Sequence, residues 1–172
     1  YFQKDSLKFL DIGCSGGGIV FDFLLKKHFA IGIEGSDFSL KAKRANWRVI
    51  PNHLFTCDAT KEFKILENTS QKQTRFDVIS CWEFFEHIPK ELHGDVFNNV
   101  KNHLNPEGIF IGSIGTNVSF SSSGHPLHMT VEKFDWWKNN FKNNGFEFIE
   151  NHGFEFEDFC RGVGNGLSDP DF

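Results

Sequence analysis

Apolar positions along the chain follow two rhythms. Short runs of four to six residues, rich in β-branched and aromatic side chains, recur at Lys8 to Ile12, Ala30 to Glu34, Leu54 to Cys57, Phe76 to Cys81 and Ile109 to Ile114. That composition suits strands. Helical patterns lie between them, at Gly18 to His28, after Ser36 and Asp37, and from Pro89, whose missing N–H costs nothing at a first helical position. In that third helix Leu92, Val96, Phe97, Val100 and Leu104 recur at spacings of 4, 1, 3 and 4, one face of a 3.6-residue period. Asn105-Pro106-Glu107-Gly108 reads as a turn. Thr130 is placed to cap a last helix with Phe134, Trp137 and Phe141 on one face and Gly145 at its end, and Phe146 to Glu150 reads as a strand. Strands separated by helices of this length predict right-handed βαβ units, hence an α/β fold with a doubly wound, mostly parallel sheet and helices on both faces.

Lys61 to Arg75 is polar and reads as a surface connection, and Ser119 to Gly124 as a serine-rich loop. The glycine-bearing tail from Gly153 to Phe172 reads as a strand and a loop near the site. At 172 residues the chain is about one domain, so residues 1–172 are taken as a single unit. Tyr1-Phe2-Gln3 resembles the end of a cleavable expression tag and is left out of the fold.

Composition narrows the classes further. Hydrophobic residues at 39% and charged residues at 24% are those of an ordinary globular protein. No apolar run approaches the ~20 residues of a membrane span. The net charge of −5 argues against affinity built on phosphate neutralisation, so nucleic acid is disfavoured as a partner. Phe is abundant, at 22 residues against one Tyr and one Met, which alters core packing little because aromatic rings bury large apolar areas. Cys14, Cys57, Cys81 and Cys160 form no CxxC pair, which removes the usual zinc-ribbon reading and favours a reducing cytoplasm. Three of them fall at strand ends, and none is assigned chemistry.

Chemistry is concentrated where strands end. Asp11-Ile12-Gly13-Cys14-Ser15-Gly16-Gly17-Gly18 joins the first strand to the first helix, the general place for a nucleotide-like ligand in a parallel sheet. The second strand ends in Glu34, 17 positions after Gly17, where a carboxylate can accept both ribose hydroxyls of an adenosine. The third ends in Asp58, suited to an adenine amino group. A dinucleotide fingerprint is met only in part, by Gly13 and Gly18 with Ser15 between, and explains neither Asp58 nor the segment after the fourth strand. No Lys-Ser or Lys-Thr pair closes the glycine run, so a P-loop is excluded.

On these residues the sequence resembles the class I S-adenosylmethionine-dependent methyltransferases, from about Leu7 to Glu150. Asp11 to Gly17 matches the family's first motif, D-x-G-x-G-x-G, with Ser15 in place of the middle glycine. Phe76 to Ile88 resembles the fourth-strand motif of the subfamily with a Glu-His pair, and Leu104 to Phe110 its L-x-P-x-G turn. The resemblance implies S-adenosylmethionine as cofactor and S-adenosylhomocysteine as product, held by Asp11, Gly13, Cys14, Ser15, Gly17, Glu34, Gly35, Asp58, Ala59 and Trp82. The segment before Leu7 is shorter than the helix that often covers the cofactor in this family.

A sulfonium methyl donor is already activated, so transfer is an in-line displacement that needs alignment. A hydroxyl acceptor must also lose a proton, whereas a neutral amine loses it afterwards. His87 is the first choice of base, since an imidazole titrates near neutrality, with Glu83 and Glu86 orienting it or shaping the pocket. His125, His128 and Phe85 are taken as acceptor contacts. Each of these histidines also has an ordinary structural role open to it in its turn. Resemblance to stand-alone enzymes with a histidine, a Trp-Trp helix and a Gly-Phe pair, as in His128 to Phe146, points to a small-molecule or sugar-containing acceptor, with no metal.

Two alternatives stay open. Glu83-x-x-Glu86-His87 followed by His125 is similar to the metal-binding segment of small-RNA 3′-terminal 2′-O-methyltransferases, which would make those four residues ligands of a divalent cation. The second is a regulatory protein that binds the adenosyl cofactor without transferring the methyl group.

Overall fold

The computed structural model describes residues 2–150 and residue 152. Its sheet contains β1 (Lys8–Ile12), β2 (Phe29–Glu34), β3 (Leu54–Thr56), β4 (Phe76–Trp82) and β5 (Leu104–Ser113), in the order β3-β2-β1-β4-β5 with every pairing parallel. The helices are α1 (Gly18–Leu25), α2 (Phe38–Lys41), α3 (His93–His103) and α4 (Phe134–Asn143).

Phe9 and Leu10 are neighbours in β1 and belong to two different cores. Phe9 joins Ala30, Val20, Leu54 and Trp47, while Leu10 joins Ile31, Ile79, Val96, Phe97, Val100 and Trp137. The period-2 alternation of strand side chains feeds one core on each face, which is why these strands read as nearly unbroken apolar runs. Each face is closed by helical residues, α1 and the 3-10 turn Ala45–Arg48 on one side and α3 and α4 on the other.

The chain winds outward from β1 through β2 to β3, then crosses back to β4 on the other side of β1. That reversal opens a crevice beyond the carboxyl ends of β1 and β4, the usual ligand position in an open α/β sheet.

Several boundaries differ from the sequence expectation. Phe76 pairs with Leu104 and Val78 with Ile109, so Asp77 faces four residues. The expected turn at Asn105 to Gly108 is therefore a bulge inside β5, and Leu104 begins that strand instead of ending the helical face. Asn105 Nδ2 ties the bulge to Asp77 at 3.0 Å. α1 ends at Leu25 because Lys27 turns left-handed at φ 64°, and His28 Nδ1 accepts the Leu7 N–H. Thr130 caps no helix: its hydroxyl donates to the Ile88 carbonyl at 2.7 Å, and α4 starts at Phe134. Phe146 to Glu150 forms no strand among the described residues. There Gly145 at φ 85° turns the chain, and Phe146 packs on Phe97, Phe110 and Phe141. Cys160 and the expected strand and loop in the tail lie outside the described residues. Among the described residues no helix is long and apolar enough to cross a membrane.

Candidate active site

The glycine turn leaves β1 under β2. The N–H groups of Gly13 and Cys14 both donate to the Ile33 carbonyl, at 2.9 and 3.0 Å, which folds the turn back over the sheet. Gly13 and Gly17 are left-handed at φ 75° and 76°. A Cβ on Gly17 would lie 2.6 Å from Leu54 Cδ1, and one on Gly13 would lie 2.8 Å from Phe84 Cδ2, so both positions need glycine for space as well as for backbone. Ser15 is also left-handed, at φ 49°, on the exposed rim. Below the turn Asp11 is buried, with its carboxylate on the Ser80 hydroxyl.

Glu34 reaches back to that turn. Its Oε2 accepts the Ser15 N–H at 2.8 Å, and Gly35 follows it on the exposed rim. Thr56 pairs with Glu34 across β2 and β3, which places Asp58 two residues beyond. Asp58 Oδ1 accepts both the hydroxyl and the N–H of Thr60, at 2.6 and 3.0 Å, and these bonds hold its carboxyl below the usual range. Ala59 is buried, with its carbonyl on Asn99 Nδ2 at 2.9 Å. Trp82 ends β4 with 40% of its surface exposed. Burial pushes the Cys14 thiol up to about 12 and raises Cys57 and Cys81, which disfavours their thiolates.

The loop after β4 carries a second group. Glu83, left-handed at φ 49°, takes the Ser113 hydroxyl on Oε1 at 2.8 Å. Glu86 is fully buried; Oε1 accepts the Gly115 N–H at 2.7 Å, and Oε2 has no hydrogen-bond partner among the described residues. Burial drives its carboxyl above the ordinary range, and the Glu83 carboxylate pushes the same way. His87 Nδ1 lies 2.8 Å from the Leu127 carbonyl, and His128 Nδ1 lies 2.6 Å from the Asn117 carbonyl. A carbonyl only accepts, so in both rings Nδ1 carries a proton and Nε2 is the atom left for other partners. The two rings are 5.0 Å apart, and ligand atoms of Glu86, His87 and His128 lie within 4.8 Å of one another. A Cβ on Gly115 would come within 3.1 Å of the Glu83 and Glu86 carboxylates and of His128, so glycine at 115 keeps this space open.

The sequence and the fold match known proteins. A family model described as a methyltransferase domain covers residues 1–157. The chain belongs to the methyltransferase-domain family. Curated relatives include the ubiquinone biosynthesis O-methyltransferases of Haemophilus ducreyi, 32% identical over 115 residues, and Actinobacillus pleuropneumoniae, 29% identical over 107 residues. These alignments cover 64% and 62% of this chain and 47% and 44% of the relatives, so the chain spans less than half of their length. Among solved structures, PH0226 from Pyrococcus horikoshii superposes with a TM-score of 0.51 at 25% identity, covering 64% of this chain and 50% of that one. A TehB-like methyltransferase from Corynebacterium glutamicum superposes with a TM-score of 0.56 at 16% identity over 81% of this chain and 65% of that one, a likeness of fold.

Within this domain the residues expected at the cofactor lie at the carboxyl ends of β1, β2 and β4 or just beyond those of β1, β2 and β3, while those expected at the acceptor divide. His128, not His125, joins Glu86 and His87. His125 sits at a hairpin tip, its Nδ1 3.0 Å from Ser123 Oγ, because Ser121 and the Phe120–Pro126 bridge close the turn there. Phe85 offers no surface to an acceptor: it is fully buried among Phe97, Phe110, Trp137 and Phe141. Sequence reasoning missed Ser80, Trp47, Arg44 and Gly115. Ser80 was within reach, since aligning β1 with β4 places it opposite Asp11. The others depend on contacts between segments far apart in the chain.

Proposed function

We propose that this methyltransferase acts on a hydroxyl oxygen of a small-molecule or sugar-containing acceptor, with His87 taking the proton. The observation that carries this is the pinned pair of imidazoles. With Nδ1 of His87 and of His128 committed to backbone carbonyls, each Nε2 is the ring atom left to accept a proton, and ligand atoms of Glu86 and both rings lie within 4.8 Å of one another. Phe84 links the two halves of the site, because its ring lies against Gly13 of the cofactor turn and it stands next to Glu83 in the loop. Alignment of acceptor oxygen, methyl carbon and sulfur then supplies most of the rate. The curated relatives are O-methyltransferases, which supports oxygen as the atom methylated.

The test is release of S-adenosylhomocysteine with a panel of phenols, sugars and matched amines. Turnover with hydroxyl acceptors, reduced about 10²- to 10⁴-fold in His87→Gln without loss of cofactor affinity, is expected. Turnover with amines alone, or an unchanged rate in His87→Gln, would overturn the assignment.

A second reading is favoured by one observation, Oε2 of fully buried Glu86, which has no hydrogen-bond partner among the described residues. In it Glu86, His87 and His128, whose ligand atoms lie within 4.8 Å of one another, would hold a divalent cation, which would supply Lewis-acid polarisation to an acceptor hydroxyl, the chemistry of the small-RNA alternative. His128 then takes the place expected for His125. Activity lost to a chelator and restored by Mn²⁺ or Zn²⁺ selects this reading; full activity in chelator selects His87 as the base.

A further inference from the structure

Ser15 stands where the family pattern has glycine, and it is left-handed, a conformation that a serine seldom adopts unaided. The segment Arg44 to Trp47 closes over it. Trp47, only 3% exposed, donates its indole N–H to the Ser15 carbonyl at 2.8 Å. Arg44 Nη1 donates to the Ser15 hydroxyl at 3.0 Å, and the Asn46 N–H donates to the Gly16 carbonyl at 3.0 Å. A Cβ on Gly16 would lie 3.0 Å from Ala45 Cβ, so the two segments are in close apposition. The clasp itself holds two more left-handed residues, Lys43 at φ 46° and Ala45 at φ 44°. Conformations of this kind persist only where their surroundings over-determine them, and they gather at ligand clamps.

The consequence falls on Glu34. The backbone N–H that Ser15 presents in this conformation meets Glu34 Oε2 at 2.8 Å, and Ser36 N–H is 3.4 Å from Oε1. Ser15 in the more common right-handed or extended backbone would turn that N–H elsewhere.

We propose that Trp47, assisted by Arg44, is a positioning residue for cofactor binding: it holds Ser15 left-handed and so aims the Glu34 carboxylate at the cofactor ribose. The inference rests on Glu34 being the ribose-binding acid. It explains why a glycine can be replaced at position 15 while the acid after β2 keeps its orientation, and why an indole N–H is committed to a turn carbonyl.

The experiment is calorimetric titration of the full chain with S-adenosylhomocysteine, with unliganded melting temperature measured on every variant. Trp47→Phe keeps the ring and removes the donor, and is expected to raise Kd about tenfold, the size of one lost buried hydrogen bond. In a Ser15→Gly background, where left-handed backbone is nearly free, the same change is expected to raise Kd about twofold or less. In a Glu34→Gln background it is expected to add nothing further. An unchanged Kd in Trp47→Phe, whatever its melting temperature, overturns the inference, as does an equal loss with Gly at position 15. If Glu34→Gln itself leaves Kd unchanged, the ribose assignment fails and the inference fails with it, an outcome distinct from Trp47 being silent while Glu34 matters.

Discussion

The Ser80 hydroxyl donates a 2.6 Å hydrogen bond to Oδ1 of Asp11 across the β1–β4 ladder, with both residues closed off from solvent. Asp11 thereby sits beneath the glycine turn as a buried acid instead of a solvated one. Burial pushes its carboxyl up to about 6, the Ser80 bond pulls it back, and the Glu34 charge adds to the rise. A raised acid is more stable protonated, so its contribution to folding is full below pH ~4 and is lost as pH rises through about 6.

Asp11→Asn removes that titration while keeping an acceptor for Ser80. The variant is expected to gain on the parent chain as pH rises from 4 to 7, by up to about 3 kcal/mol. Urea unfolding of both proteins at four pH values checks the sign, and a constant difference would mean that Asp11 is not the buried acid described.

Neighbouring glycines in the turn are expected to respond oppositely. Gly17→Ala puts a methyl 2.6 Å from Leu54 at φ 76° and should cost about 1 to 3 kcal/mol and weaken cofactor binding. At Gly18 nothing lies within 4 Å of the new methyl, and alanine there should be neutral or stabilising by up to about 1 kcal/mol. Melting temperatures with and without S-adenosylhomocysteine separate the two.

Phe85 and Trp82 lie three residues apart and divide stability from binding. Phe85→Ala empties a fully buried site and should cost about 3 to 5 kcal/mol. Trp82→Ala removes a side chain that is 40% exposed at the end of β4 and should weaken S-adenosylhomocysteine binding with little loss of stability. Chemical denaturation and calorimetry on both variants check the division.

Asn99, in α3, donates from Nδ2 to the carbonyls of Ala59 and Lys61 at 2.9 and 2.8 Å, pinning the loop that carries Asp58. Asn99→Leu leaves two carbonyls without that donor and should cost about 1 to 3 kcal/mol. If Asp58 contacts the adenine, cofactor affinity falls with it, and affinity for a ligand lacking the adenine amino group falls less.

Much of this architecture was legible in sequence. Five apolar runs with helical patterns between them specify a parallel sheet, because βαβ crossovers cover both faces and leave strands with few polar positions. The Gly13 to Gly17 turn, Glu34 and Asp58 were legible for a related reason: each follows directly from the end of a strand, so its place is set by local chain position and a parallel register. Boundaries were less so. Leu104 has the helical spacing of Val96, Phe97 and Val100, and only pairing with Phe76 draws it into β5.

The cluster after β4 was half legible. Glu83, Glu86 and His87 are local to one loop, but the choice between His125 and His128 depends on a hairpin closed by the Phe120–Pro126 bridge, which returns His128 and leaves His125 at the tip. Phe85 shows the same limit, since an aromatic beside the site can face the crevice or the core, and the packing of α3 and α4 sends it inward. The sequence by itself therefore determined the fold class and the strand-end places of the glycine turn, Glu34 and Asp58, through periodicity and parallel register, while the expected cofactor came from the family resemblance those residues carry. Tertiary structure alone decided which histidine meets Glu86, and that Trp47 and Arg44 brace Ser15, because those relationships join residues 29 to 42 positions apart whose meeting is set by packing and not by any local pattern.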